Sequence, residues 1–192
     1  MVTDPSRVEL GWDPAVLGTS TRRGGGLFPG YGRSVARASR ATAALAAAGV
    51  VHRVHAYTHD GRSTDHGREA VDALGVDDQR VLKTLVIEVD GVLAVAVLPV
   101  PHQLDLKAAA AALGGRRGRM ADRRAAERST GYVLGGVSPL GQRSTLPTVV
   151  HDEVLLHDTV LCSAGQRGLE LELDPAELVR LTGAVTAPIT RG

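Results

Sequence analysis

A chain of 192 residues with 43% hydrophobic and 22% charged residues has the make-up of one globular domain. A core of ~150 residues buries about 70% of its unfolded surface, so neither a metal nor a disulfide is needed for folding. The formal charge of +1 excludes a protein that coats nucleic acid, and the single cysteine, Cys162, excludes an internal disulfide.

Residues 1–36 carry Gly11, Gly18, Gly24, Gly25, Gly26, Gly30 and Gly32 with three prolines and no lasting periodicity, which predicts a disordered N-terminal extension. Its Arg22, Arg23 and Arg33 suit solvent, or contact with RNA or an acidic partner. The domain proper is expected over 37–192. Residues 37–48 are alanine-rich and stop at Gly49, as a first helix would. The alternation of VVHRVHAYTHD then predicts a strand in which His55, Tyr57 and His59 share one face and His52 takes the other. A metal set of His52, His55 and His59 is disfavoured by that split, leaving a polar pocket wall or satisfied surface histidines.

Asp65–Leu74 reads as a helix ending at Gly75. TLVIEV and VLAVAVLPV follow, joined by Asp90-Gly91, the pair that favours a type I′ hairpin turn; such unbroken apolar runs imply strands covered on both faces. Lys83 lies at the mouth of the first run. A lysine beside a dry sheet either meets an anionic or hydrogen-bonding group or snorkels to solvent. Asp105–Leu113 reads as a capped helix with Gly114 as its stop, and six arginines between Arg116 and Arg128 form either a contact for nucleic-acid phosphates or a solvated helix face.

Arg128–Leu146, RSTGYVLGGVSPLGQRSTL, cannot be a regular helix or buried strand through Gly135, Gly136, Pro139 and Gly141. The two adjacent glycines ahead of Ser138 fit a tight turn, or a loop whose backbone N–H groups approach a phosphate or ester oxyanion. Beyond it, LPTVV and DTVLC read as strands, and SAGQRG turns into LELEL, whose glutamates mark a wetter face. Asp174 with Pro175 and Glu177 predicts a capping box for a last helix ending at Gly183. The expected fold is a single α+β domain with a mixed, largely antiparallel sheet flanked by helices. By alternation Cys162 points opposite Ser163 and is read as a small buried hydrophobe, not a nucleophile, and Ser138 in a Ser-Pro loop is no nucleophile elbow.

The string RSTGYVLGGVSPLG resembles the signature of the YbaK family, the free-standing Cys-tRNA(Pro) deacylases related to an editing domain of some prolyl-tRNA synthetases. HAYTHD at 55–60, VLKTLV at 81–86, QLDLK at 103–107 and SAGQRGLELEL at 163–173 agree in the same order, so the resemblance spans residues 37–190. It implies a YbaK-like editing fold and hydrolysis of a cysteinyl ester on tRNA, assisted by the substrate's own thiol or by a water that the ribose hydroxyl aids. Lys83, Gly135 and Ser163 are then the catalytic set, with Lys83 holding the adenosine phosphate and fixing the ester. Tyr57, His59, Gly136, Ser138 and Glu170 are the substrate-binding set. No metal or cofactor is implied. The implied partners are the aminoacylated 3′ end of tRNA and, transiently, prolyl-tRNA synthetase, for a monomeric, cytoplasmic protein without membrane contact. The chain departs from the family pattern at Gly61 and His66, where a proline and an aromatic are usual, which bears on amino-acid selectivity. Rival readings are a sister deacylase for another small amino acid and a non-catalytic module that binds tRNA or nucleotide.

Overall fold

The hairpin around Asp90-Gly91 forms the middle of the sheet. The computed structural model describes residues 39–191; the extension expected over 1–36, with its arginines, lies outside them. Strands β2 (Val81–Val89) and β3 (Val92–Pro99) pair antiparallel across Asp90 and Gly91, whose φ values of 49° and 91° are the two left-handed positions a type I′ turn requires. Five further strands complete the path β1-β8-β7-β2-β3-β6-β9: β1 (His52–Ala56), β6 (Thr148–His151), β7 (Val160–Ser163), β8 (Leu169–Leu173) and β9 (Val185–Ala187). The short β5 (Gly118–Met120) also pairs with β2, while β4 (Gln103–Leu104) and β10 (Thr190–Arg191) form a separate ribbon. Four ladders of the main sheet are antiparallel and three, β2–β7, β3–β6 and β6–β9, are parallel. The sheet is mixed as expected, with parallel pairing on the outer side of both central strands.

The helices are α1 (Arg40–Ala47), α2 (His66–Leu74), α3 (Leu106–Ala112), α4 (Arg123–Thr130) and α5 (Pro175–Thr182). Alternation along β3 sorts them. Val95 and Val97 join Leu82, Cys162, Leu171 and Leu173 in one core covered by Ala41 and Leu45 of α1 and Leu178 of α5. Ala94, Ala96 and Leu98 join Ile87 in another, covered by Ala109 and Ala110 of α3. Both faces of the hairpin are therefore dry, which is why its apolar runs are unbroken.

Several expected boundaries move for local reasons. Helix α1 starts at Arg40 because Ser39 and Thr42 form a reciprocal capping box. Strand β1 stops at Ala56: the Tyr57 N–H still reaches Gly168 O, but Asp60 has left the sheet and donates its N–H to the Glu69 carboxylate. Asp174 caps α5 through the Ala176 N–H, while Glu177 pairs with Arg180 instead of closing a box. Glu170 is not on a wet face. It is 7% exposed, against the wetter face expected from the LELEL alternation.

Candidate active site

Register places the central chemistry. Parallel pairing of β2 with β7 sets Val81 beside Leu161 and Leu82 beside Cys162, so the next residues along, Lys83 and Ser163, are neighbours. Antiparallel pairing of β7 with β8 sets Ser163 opposite Glu170, and β8 with β1 sets Glu170 opposite His55. Because Leu82, Cys162 and Leu171 point into the core, alternation turns Lys83, Ser163 and Glu170 to the other face. There they line one cavity of about 440 Å³, closed by Asp65, His66 and Gly67 at the start of α2 and by Leu134, Gly135 and Val137 of the glycine loop. Lys83 and Ser163 thus share one side of the sheet.

The Lys83 ammonium donates to Val100 O at 2.9 Å. Burial lowers its pKa, and the negative charge of Asp65 works against that shift. A half-buried cation resting on one carbonyl has donors left for an incoming anionic or carbonyl oxygen. Glu170 responds in the opposite sense. Burial pushes its carboxyl up to about 8, so it is a neutral hydrogen-bond donor at pH 7. The Ser163 Oγ accepts from the Gly165 N–H at 3.2 Å, which fixes its place at the start of the β7–β8 turn. Thr84 also lines the cavity, with a buried hydroxyl that has no partner among the described residues.

The glycine loop is held from within. The Tyr132 hydroxyl donates to Leu140 O at 2.8 Å, Arg40 stacks 4.3 Å above the Tyr132 ring, and Arg40 also donates to Thr130 O and Gly131 O. Arg167 ties the loop to the β7–β8 turn through Leu134 O at 2.8 Å. Of the two adjacent glycines only Gly135 lines the cavity; the Gly136 N–H is spent on Val133 O inside the loop. Ser138 is fully buried and its Oγ accepts from the Leu140 N–H, so it braces the loop and does not reach the cavity. At Gly135, φ is +86° and a Cβ would overlap the His66 ring. Gly135→Ala is therefore expected to lower stability by more than ~1 kcal/mol and to displace His66 from the cavity wall. Thermal melts and a deacylation assay check this; wild-type values in both would show that the glycine is dispensable.

Tyr57 and His59 do not line the cavity. Tyr57 packs behind it on Ala70, Val71, Val81 and Leu161, and burial, with the charges of Glu170 and Glu69, raises its hydroxyl pKa to about 12. His59 bonds Glu69 through Nδ1 at 2.9 Å. Burial alone would raise the Glu69 carboxyl, but the Asp60 N–H and the His59 ring outweigh it and hold it below its ordinary range. The other strand histidines go elsewhere: His55 meets Glu172 at 2.8 Å and His52 meets Val50 O. Thr159 first, then His55 and Arg80, hold Glu172 down to about 2. In the arginine cluster, Arg119 pairs with Glu88 and Arg123 with Glu127, as a solvated surface does. Cys162 is fully buried, and burial followed by the charge of Glu170 pushes its thiol up, so it is an inert core residue.

The cavity therefore offers a cation, a glycine backbone, a hydroxyl and a neutral acid, and its nearest thiol is sealed in the core. That set, in an α+β fold, is one that binds and orients a polar or anionic ligand without a protein nucleophile. The aminoacyl-tRNA editing domain family matches residues 62–181, which include every cavity residue named above, and the chain belongs to that family. A relative from Enterococcus faecalis, named provisionally as the Cys-tRNA(Pro)/Cys-tRNA(Cys) deacylase EbsC, is 36% identical over 131 residues, 67% of this chain and 80% of the relative. Among solved structures, one described provisionally as a trans-editing enzyme for prolyl tRNA synthetase is 27% identical with a TM-score of 0.71, covering 80% of this chain and 96% of that one. The hypothetical protein APE2540 is 28% identical with a TM-score of 0.70, covering 79% and 99%.

Proposed function

We propose that this chain is a trans-editing deacylase that hydrolyses the ester of Cys-tRNA(Pro), with the domain running over residues 37–192. The observation that carries the reading is the alignment of Lys83, Ser163 and Glu170 across three strands around one cavity, beside a cysteine too buried to serve as nucleophile. Family membership and the deacylase named in the relative support it. A volume of about 440 Å³ suits a small aminoacyl group with part of its terminal adenosine.

Lys83 holds the phosphate of the terminal adenosine and fixes the ester. The Gly135 backbone and Ser163 face the carbonyl, and Glu170 meets polar groups of the amino acid. Positioning and oxyanion stabilisation supply most of the acceleration an aminoacyl ester needs. In the thiol route the substrate sulfur bonds to the carbonyl carbon, the ester C–O bond breaks and the thiol proton passes to the leaving ribose oxygen. Water then opens the cyclic thioester to cysteine. In the water route, the ribose hydroxyl aids direct attack. Tyr57 and His59 act from behind the cavity wall, while Gly136 and Ser138 shape the loop.

The protein works as a cytoplasmic monomer, and no helix among the described residues is long and apolar enough to cross a membrane. With a formal charge of +1 it has little charge with which to choose one tRNA, so transient recruitment to prolyl-tRNA synthetase supplies that selectivity. The test is a panel of Cys-, Ser- and Ala-tRNA(Pro) with Cys-tRNA(Cys). Binding alone separates such small side chains by only about 10–200-fold, whereas a reaction that needs the substrate thiol separates cysteine from serine by more. Both cysteinyl esters should be cleaved and the seryl and alanyl esters spared. Equal cleavage of Ala-tRNA(Pro) would make the chain a deacylase for another small amino acid.

A further inference from the structure

We propose that His59, His66 and Glu69 form a binding site for a divalent transition-metal ion of the zinc class. The three residues come from the segment after β1 and the first turn of α2, and one donor atom from each lies within 4.8 Å of the others. Glu69 Oε2 is 2.9 Å from His59 Nδ1 and 3.8 Å from His66 Nδ1. Zinc–ligand bonds of about 2.0–2.2 Å in tetrahedral array separate neighbouring donors by about 3.4 Å, so the two spacings bracket what an ion would impose.

Two further features point to a ligand. His66 Nδ1, the atom turned toward Glu69 Oε2, is buried without a hydrogen-bond partner among the described residues, a state that ordinary folding avoids. The site is also braced as metal sites are: Asp60 donates its backbone N–H to Glu69 Oε1, which leaves Oε2 turned toward the histidines. The three side chains are 13–21% exposed, so an ion would be reachable yet mostly shielded.

Two imidazoles and one carboxylate suit zinc, cobalt or nickel and not magnesium or calcium, which favour all-oxygen sets. Three protein ligands leave one position open, and His66 itself lines the cavity. An ion there would clamp the start of α2 to the chain leaving β1 and stiffen that wall. The inference is independent of the deacylase assignment, because its test uses the metal alone.

The full-length, untagged protein is stripped with a chelator and dialysed against Zn²⁺ alone, and bound zinc is counted by atomic absorption. In parallel, Co²⁺ is titrated and its visible d–d bands are recorded. One zinc per chain, with the intense bands of a tetrahedral cobalt centre, is expected. Loss of an outer-sphere partner weakens metal sites by about 10–100-fold, and loss of a ligand in His66→Phe or Glu69→Gln should cost at least that. Circular dichroism checks that both variants fold. Absence of stoichiometric uptake by the wild type, or uptake that survives both substitutions, would overturn the site.

Discussion

Lys83→Ala is expected to slow cysteine release from Cys-tRNA(Pro) by about 10²–10³-fold, the effect typical of losing one preorganised donor to a developing oxyanion or phosphate. Lys83 sits inside β2 with its ammonium on Val100 O, so it is aimed before substrate arrives and little reorganisation is needed. Alanine keeps the strand and removes only a half-buried chain, so the thermal midpoint should move far less than the rate. Single-turnover kinetics on the folded variant decides. A rate within about threefold of wild type would remove Lys83 from the chemistry, whatever its position.

The second large effect is on stability and pH. Burial holds the Glu170 carboxyl at about 8 in the folded chain, well above its ordinary value of 4.5. A carboxyl raised on folding is bound to a proton in the native state when the unfolded chain has already released it. Stability is therefore full below the unfolded pKa and falls as pH rises through the interval to about 8. The accumulated loss is on the order of 5 kcal/mol. Glu170→Gln removes this titration, so its stability should fall much less between pH 5 and pH 9. Every other titrating group is common to both proteins, which leaves Glu170 as the cause of any difference. Denaturant midpoints across that range check it, and parallel curves for the two proteins would show that the carboxyl is not buried as described.

The parts of this fold legible in the sequence were those set by short-range chemistry. Asp-Gly at 90–91, the Asp65–Gly75 and Asp105–Gly114 helix limits and the Asp174 cap all depend on residues within a few positions of one another. The candidate site was legible through separated motifs, and the β2–β7 and β7–β8 registers bring Lys83, Ser163 and Glu170 to the cavity that Gly135 closes. Parallel pairing of β2 with β7 was not legible, because two segments some 80 positions apart carry no local mark of which strand each will join. The stack of Arg40 on Tyr132, which pins the glycine loop, is hidden for the same reason. Tyr57 and His59, which the family resemblance assigns to substrate binding, lie outside the cavity lining; β1 ends at Ala56, and once the chain leaves the sheet alternation no longer says where a side chain points. In the sequence His66 stands out only as a departure from the family pattern. Its approach to His59 and Glu69 needs the turn between β1 and α2, which brings the two histidine rings to 5.2 Å.

The most direct test of the central claim is single-turnover deacylation of Cys-tRNA(Pro) by the intact protein, followed by counting ester-linked cysteine against the spontaneous loss in buffer. Rapid release of cysteine is expected, with free tRNA as the other product and no cysteinyl group left on the protein. Tight binding of the tRNA with its ester intact would contradict it and make this cavity a binding site only.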